Sequence, residues 1–293
     1  MTTAGVITTL HNFNESDGLG PTGLVQGTDG DLYGTTKEGG QYTLNPSCES
    51  EFGNDPLQGC GAVFKITTGG VFTLLHSFNV GVDGALPYVP VAQANDGTFY
   101  GTTWVGKGWG NGTVFSITSN GAFTTVYTFT GIANNPTVGL FAASDGNLYG
   151  TTGGGSCGVI YKVSQSGIFT SVYQGACNLG SYTDGVFQAT SGKFYGSYTG
   201  DDGGALFSLD TDLGPFVSFV LPTGTRGQTA QILGQGLTGT TSVTFDGVAA
   251  TKFSVVSDTY MTAVVPAGAT TGAVVVATPA GNLISNVGFR VTR

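Results

Sequence analysis

The chain has 293 residues, of which 51 are glycine and 10 are proline, and only 9% are charged. This much glycine disfavours helices, and a content of 40% hydrophobic residues is too high for a disordered chain. The net charge of −9 argues against partners such as nucleic acid or anionic membranes, since both need a basic protein surface. We therefore predict an all-β protein with many short strands and turns.

Four similar units follow one another along residues 1–214. Each contains an Asp-Gly or Ser-Gly turn followed by a strand with a Tyr-Gly pair, and a Gly-x-x-Phe/Tyr strand comes next. The glycines of the Tyr-Gly pairs are 67, 49 and 46 residues apart: Gly34, Gly101, Gly150 and Gly196. With the strands on either side, each unit holds four short strands, which is typical of a β-propeller blade.

The loops of these units differ in length. We name the strands of each unit A to D, with A leading into the Asp-Gly turn. The A–B and C–D turns are tight, and we call their side of the molecule the tight-turn face. The D–A and B–C loops are longer, and we call their side the long-loop face. Sequence diversity is therefore expected on one surface.

The fourth unit ends near Leu209 without a D strand, while residues 6–13 read as a D strand that precedes the first unit. We therefore predict a small four-bladed β-propeller closed by the N-terminal strand, which would remove exposed sheet edges. The alternative is an open array that pairs with another chain.

The repeat stops after Gly214. Residues 215–293 contain short strands separated by turns such as Asp246-Gly247, and they carry four basic and two acidic side chains. The spacing predicts an immunoglobulin-like β-sandwich as a second domain. The acidity of the protein therefore resides in residues 1–214.

Two family resemblances are carried by these residues. The Leu-Tyr-Gly-Thr-Thr, Gly-x-Val-Phe and Leu-His-x-Phe blocks resemble the GloVer tandem repeat of bacterial exported proteins over residues 5–210. The stretches Ser242-Val-Thr-Phe-Asp-Gly-Val-Ala-Ala and Val264-Val-Pro-Ala-Gly-Ala-Thr-Thr-Gly are similar to an IPT/TIG domain. The resemblances imply a propeller-like repeat followed by an extracellular spacer, and neither supplies a catalytic residue.

The four cysteines are an even number without Cys-x-x-Cys spacing or a neighbouring histidine. Two disulfides among Cys48, Cys60, Cys157 and Cys177 are therefore expected, with three pairings open, in a secreted or cell-surface protein. We expect its export signal to lie outside this sequence. Since no run of 18 apolar residues occurs, no membrane insertion is expected.

Carboxylates are the first group of candidate site residues. All four glutamates lie in the first unit, where Glu38, Glu49 and Asp17 could act as acid and base on a glycoside. The alternative is a solvated loop. Asp201 and Asp202 could hold Ca²⁺, and no other cofactor is expected. The two histidines, His11 and His76, occupy equivalent repeat positions and are expected to be structural.

Aromatic residues are the second group. Trp104 and Trp109 lie in the second B–C loop with Lys107 between them, where flat rings could stack on a sugar or grip a partner. Alternatively, the rings pack over neighbouring blades. Tyrosines of the same face complete the predicted ligand-binding group: Tyr42, Tyr88, Tyr182 and Tyr198.

These features favour an extracellular, non-catalytic module that binds a glycan or a cell-surface protein. One alternative is a polysaccharide-active hydrolase or lyase that uses the carboxylates of the first unit. A second is a cell-surface or filament-forming structural protein. The chain is expected to be a monomer or to self-assemble through its strands.

Overall fold

The structure is a computed structural model that describes residues 5–41, 59–107, 111–131, 133, 135–136, 138–153, 158–175, 185–200 and 203–292. Every regular element in these ranges is a β-strand, which confirms the predicted all-β class. The same ranges contain no helix that could span a membrane.

The first fifteen strands form four antiparallel sheets in chain order. Sheet 1 contains β1 (Leu19–Gln26), β2 (Leu32–Glu38), β3 (Ala62–Ile66) and β4 (Phe72–Ser77). Sheet 2 contains β5 (Ala92–Gln93), β6 (Phe99–Thr103), β7 (Thr113–Ile117) and β8 (Phe123–Thr128). Sheet 3 contains β9 (Phe141–Ala142), β10 (Leu148–Thr152), β11 (Val159–Val163) and β12 (Phe169–Gln174). Sheet 4 contains β13 (Phe187–Gln188), β14 (Phe194–Gly200) and β15 (Gly203–Leu209).

Tight turns join strands A and B of each sheet, as the Asp-Gly and Ser-Gly pairs predict. The turn glycines have positive φ, which other residues adopt only with strain: Gly30 (96°), Gly97 (83°), Gly146 (77°) and Gly192 (82°). The turn aspartate also fixes the following strand, because the Tyr33 and Tyr149 hydroxyls donate to Asp29 and Asp145 at 2.6 and 3.0 Å.

Neighbouring sheets bury rings against one another. Tyr33 of sheet 1 stacks on Phe99 of sheet 2 with centroids 3.9 Å apart, and Tyr149 of sheet 3 stacks on Phe194 of sheet 4 at 4.3 Å. Burial raises the pKa of Tyr100, at the same repeat position in sheet 2, to about 12. These tyrosines are core residues and stay protonated at neutral pH.

The predicted closure by the N-terminal strand is not observed. Residues 5–14 form no strand, and β15 pairs only with β14 among the described residues. The aromatic end of the N-terminal segment packs instead on sheet 1, where His11 stacks on Phe72. Ile7 extends into solvent, and the edge of sheet 4 stays uncovered in the part of the chain that the structure describes.

The remaining strands form three sheets. They are β16 (Phe216–Phe219), β17 (Thr223–Thr225), β18 (Thr229–Gln235), β19 (Ser242–Phe245), β20 (Val248–Ala249), β21 (Phe253–Ser257), β22 (Tyr260–Val264), β23 (Val274–Thr278), β24 (Gly281–Ile284) and β25 (Arg290–Thr292). The sheets β16-β18-β22-β21 and β20-β19-β23-β24 enclose one core, and β17 pairs with β25 in parallel.

The C-terminal sheets lie against the tight-turn face of the repeat. Arg290 packs directly on Gly30, and the Asn286 Nδ2 donates to the Ala142 carbonyl oxygen at 3.1 Å. Gln235 lies against Gly192 in the turn of sheet 4. Sheets 1, 3 and 4 are therefore all in contact with residues 215–292.

Candidate functional site

Two loops meet on the long-loop face between sheets 1 and 2. The D–A loop before β5 and the B–C loop after β6 form a short bridge, in which Ala85 and Val105 exchange backbone hydrogen bonds of 2.9 and 3.1 Å. The Trp104 N–H donates to the Leu86 carbonyl oxygen at 3.0 Å. The D–A and B–C loops thus share one face here, as the strand order predicts.

Trp104 and Tyr88 form an aromatic pair on this bridge. Their rings are 5.8 Å apart in an edge-to-face arrangement, and both are partly buried against the core between sheets 1 and 2. The Asn135 Nδ2 donates to the Trp104 carbonyl oxygen at 3.1 Å. Lys107 follows in the same loop and is exposed. Trp104 therefore both packs on the core, as the alternative reading expected, and reaches the surface.

A strained residue supports this pair. Leu86 is buried and has a φ of 59°, a left-handed conformation that costs a non-glycine residue about 1–3 kcal/mol. The Leu86 N–H donates to the Cys60 carbonyl oxygen at 2.9 Å. Cys60 is buried and is not a free thiol. The backbone beneath Trp104 is thus tied to the segment that enters β3.

The left-handed residue was missed by sequence reasoning, although a signal exists. Leu86 precedes a proline, and so do Gly20 and Asn135 at the equivalent positions of the first and third units, with φ of 63° and 49°. Glycine or asparagine accommodates this conformation easily, whereas leucine does not. A recurrent residue before proline, with leucine in one unit only, could have marked the second unit as unusual.

The two histidines hold loops, as their repeat position predicts. His76 Nε2 and the Asp83 carboxylate are hydrogen-bonded at 2.8 Å, and the His76 ring stacks on Phe123 with centroids 3.8 Å apart. His11 and Asp17 repeat the hydrogen bond at 3.1 Å. Among the described residues, no contact joins either histidine to Trp104 or Tyr88.

The candidate carboxylates are engaged locally. Asp17 also accepts hydrogen bonds from the backbone N–H and Nδ2 of Asn14, at 2.8 and 2.9 Å. Glu38 pairs with Lys37 at 3.3 Å. No hydrogen bond or ion pair of the described residues joins Glu38 to Asp17, so an acid and base pair stays a prediction. In those residues, no group of three or more His, Cys, Asp or Glu could hold a metal ion.

Tyr198 lies in β14 and packs against the core between sheets 3 and 4, away from the aromatic pair. The remaining predicted site residues lie outside the described residues and stay predictions: Glu49, Trp109, Tyr42, Tyr182, Asp201, Asp202, Cys48, Cys157 and Cys177.

A family model described as the Gloeobacter/Verrucomicrobia repeat matches residues 51–257. No curated protein matches the chain. Similar solved structures include a putative gluconolactonase, with 17% identity, coverage of 65% of this chain and 60% of that chain, and a TM-score of 0.36. A nidogen/laminin complex has 15% identity, coverage of 73% and 75%, and a TM-score of 0.41. A periplasmic gluconolactonase of Pseudomonas aeruginosa has 12% identity, coverage of 92% and 86%, and a TM-score of 0.39. The chain thus spans less than two thirds of the first of these.

Proposed function

The chain belongs to the Gloeobacter/Verrucomicrobia repeat family, and we propose that it is an exported, non-catalytic module that binds carbohydrate on its long-loop face, at Trp104 and Tyr88. The observation that carries the proposal is this edge-to-face pair of partly exposed rings, which lies where two loops bridge. An aromatic face offers a large apolar surface to the C–H groups of a sugar ring, and its rigidity limits the entropy lost on binding.

The backbone contacts around Trp104 support a preformed site. Its N–H and its carbonyl oxygen are both hydrogen-bonded, to the D–A loops that precede sheets 2 and 3 respectively. A loop whose backbone is fixed in this way needs little ordering when a ligand arrives, which raises affinity for a given contact area. The exposed Lys107 adds a hydrogen-bond donor in the same loop.

The contacts of the described carboxylates are consistent with a binding module. Asp17 and Asp83 each anchor a histidine and a backbone N–H, and Glu38 pairs with a neighbouring lysine. Carboxylates in these roles have the ordinary structural task of fixing loops. We do not assign any of them to a reacting sugar.

The wider architecture in this proposal follows the repeat. Sheets 1 to 4 are the blades of a propeller-like array over residues 1–214, and residues 215–293 are an IPT/TIG-like spacer. The spacer lies on the tight-turn face, so the aromatic pair on the opposite face stays open to large ligands. Buried Cys60, which is not a free thiol, fits an oxidising compartment.

The test is binding of the full chain to a panel of soluble polysaccharides, measured by affinity electrophoresis and then by calorimetry. Trp104→Ala is expected to weaken binding about tenfold or more, which corresponds to about 1.4 kcal/mol. Trp104→Phe should retain most of the affinity. Phe253→Ala, which removes an exposed ring from the C-terminal sheets, is the matched control.

Binding that Trp104→Ala leaves unchanged, or no binding to any polysaccharide, would overturn the proposal. Release of reducing ends from a bound polysaccharide, abolished by Glu38→Gln, would favour the hydrolase alternative instead.

A further inference from the structure

Apolar side chains that are buried in the inner sheets are exposed at the two ends of the repeat array. Ten residues before the glycine of each Tyr-Gly pair, at or just before strand A, one apolar position is buried in sheets 2, 3 and 4 and exposed in sheet 1: Val91 (4%), Leu140 (7%), Val186 (5%) and Leu24 (55%). In strand C, one position is buried in sheets 1, 2 and 3 and exposed in sheet 4: Val63 (0%), Val114 (0%), Ile160 (1%) and Leu206 (88%). Within the described residues, sheet 1 thus lacks a neighbour before it, and sheet 4 lacks a fourth strand.

The N-terminal segment supplies one half of the missing contact. His11 stacks on Phe72 of sheet 1 with a centroid separation of 4.0 Å and an interplanar angle of 8°. His76, at the end of β4, stacks on Phe123 of sheet 2 at 3.8 Å and 8°. Residues 10–13 therefore lie on sheet 1 as the end of a D strand lies on the following sheet. They occupy the position of the end of a D strand, but among the described residues they belong to no sheet.

Backbone hydrogen bonds identify the sheet that this strand fits. The Phe78 N–H donates to the Gly61 carbonyl oxygen at 2.9 Å, and the Phe129 N–H donates to Gly112 at 3.0 Å. Phe13 occupies the position of Phe78 and Phe129, and Gly204, in β15, occupies that of Gly61 and Gly112. The repeat therefore assigns the Phe13 N–H to the carbonyl oxygen of Gly204.

The register of the inner sheets extends the match. In sheet 1, Val63 pairs with His76 and Ile66 with Phe72. The same register across β15 sets Leu206 opposite His11 and Leu209 opposite Ile7, which is 96% exposed. Two strongly exposed apolar residues, Leu206 and Ile7, would be covered in one step.

On the tight-turn face, a glutamine side chain accepts a hydrogen bond from the backbone of the preceding sheet. Gln93 of sheet 2 accepts from the Thr28 N–H of sheet 1 at 2.9 Å, and Gln188 of sheet 4 accepts from the Ser144 N–H of sheet 3 at 2.9 Å. At the ends of the array, Gln26 of sheet 1 and Thr190 of sheet 4 occupy the corresponding positions. The two ends are thus complementary in apolar surface, strand register and side-chain hydrogen bonding.

We propose that the open end of sheet 4 binds the N-terminal segment and the open side of sheet 1 from a second copy of this chain, head to tail. The N-terminal segment of the same copy is docked on its own sheet 1 and leaves β15 uncovered. Both halves of the interface are therefore exposed in one molecule. Such a contact joins two different surfaces, so it closes into a ring or extends into a filament.

The experiment uses two variants of the full chain that each block one end. Leu206→Arg blocks the end of sheet 4, and Ile7→Arg blocks the N-terminal end. Both side chains are almost fully exposed, so neither change should disturb the fold, which circular dichroism can verify. Val256→Arg, at an exposed apolar residue of the C-terminal sheets, is the control. Mass is measured by light scattering from about 1 to about 100 µM.

The unaltered chain and Val256→Arg are expected to give concentration-dependent oligomers. Each blocked variant alone should be a monomer, because every contact would need a blocked end. Their equimolar mixture should form a one-to-one dimer through the two intact ends.

The proposal would be overturned if the unaltered chain were a monomer at all concentrations, a result that would indicate closure within one chain. Oligomers that survive in either blocked variant would also overturn it. Neither result bears on carbohydrate binding at Trp104, which is measured separately.

Discussion

The repeat sheets and the C-terminal sheets build their cores in different ways. Sheets 1 to 4 bury three separate clusters, each between neighbouring sheets, and aromatic rings such as Phe99 and Phe115 fill them. The C-terminal sheets share one cluster of mainly aliphatic side chains, such as Ile232 and Val276. The first core is distributed along the chain and the second is concentrated in one place.

The two kinds of core predict different ways of unfolding. In a distributed core, stability is close to a sum over units and their nearest neighbours. A single core enclosed by two sheets is lost in one cooperative step. Among the described residues, the core cluster of the C-terminal sheets contains no residue of the repeat sheets, and the two regions meet through contacts such as the hydrogen bond from Asn286 to Ala142. We therefore expect two calorimetric transitions, which would also test the predicted boundary at residues 214 and 215.

The largest effect is expected from a matched pair of core truncations. Phe115→Ala should cost about 3–5 kcal/mol and lower only the repeat transition, because Phe115 is fully buried between sheets. Ile232→Ala should cost about 2–5 kcal/mol and lower only the C-terminal transition. Scanning calorimetry of both variants checks this. If either change moves both transitions together, the two cores are coupled and the comparison fails.

A smaller effect is expected at a loop anchor of the repeat. Asp83 is buried and accepts from the Asn79 N–H at 2.7 Å while it holds His76. Asp83→Ala should cost about 2 kcal/mol in urea unfolding, because it leaves partly buried donors without their acceptor. Asp17→Ala removes the same pair at the N-terminal end, where the loop is more exposed, and should cost about half as much. Equal losses would show that the end of the array is as well packed as its interior.

The smallest expected effect is an increase in stability. The hydroxyl of Tyr161 is buried and has no hydrogen-bond partner among the described residues, and burial raises its pKa well above the ordinary value. The equivalent residues are phenylalanine in the other three sheets: Phe64, Phe115 and Phe207. Tyr161→Phe should therefore stabilise the repeat transition by about 1 kcal/mol. Thermal unfolding checks this, with Tyr195→Phe as a control at an exposed tyrosine. A destabilised variant would indicate that the hydroxyl has a role that these contacts do not reveal.

Local signals were sufficient for much of the fold. The Asp-Gly turns and the strand order within each sheet follow from turn chemistry and from the repeat, and the structure confirms them. The position of residues 5–14 could not be predicted in this way. Whether that strand reaches β15 depends on how the sheets curve, which no local pattern records.

The candidate site was predictable only in part. Trp104 was identified by its type and loop, and the meeting of the D–A and B–C loops followed from the strand order. The left-handed Leu86 and the hydrogen bond from Asn135 in the next unit could not be inferred, because both depend on contacts between loops that are distant in sequence. The residue type thus identified Trp104 as a candidate, while contacts between distant loops determine its position.

The position of the C-terminal sheets has a consequence for presentation. Arg290 in β25 packs on Gly30 of the tight-turn face, on the side of the array opposite Trp104. A protein immobilised through its C-terminal sheets would therefore point its long loops away from the support. Coupling to a sensor surface through β24, for example by a biotin on an Asn282→Cys variant, would orient every molecule alike and leave the aromatic pair facing the solution.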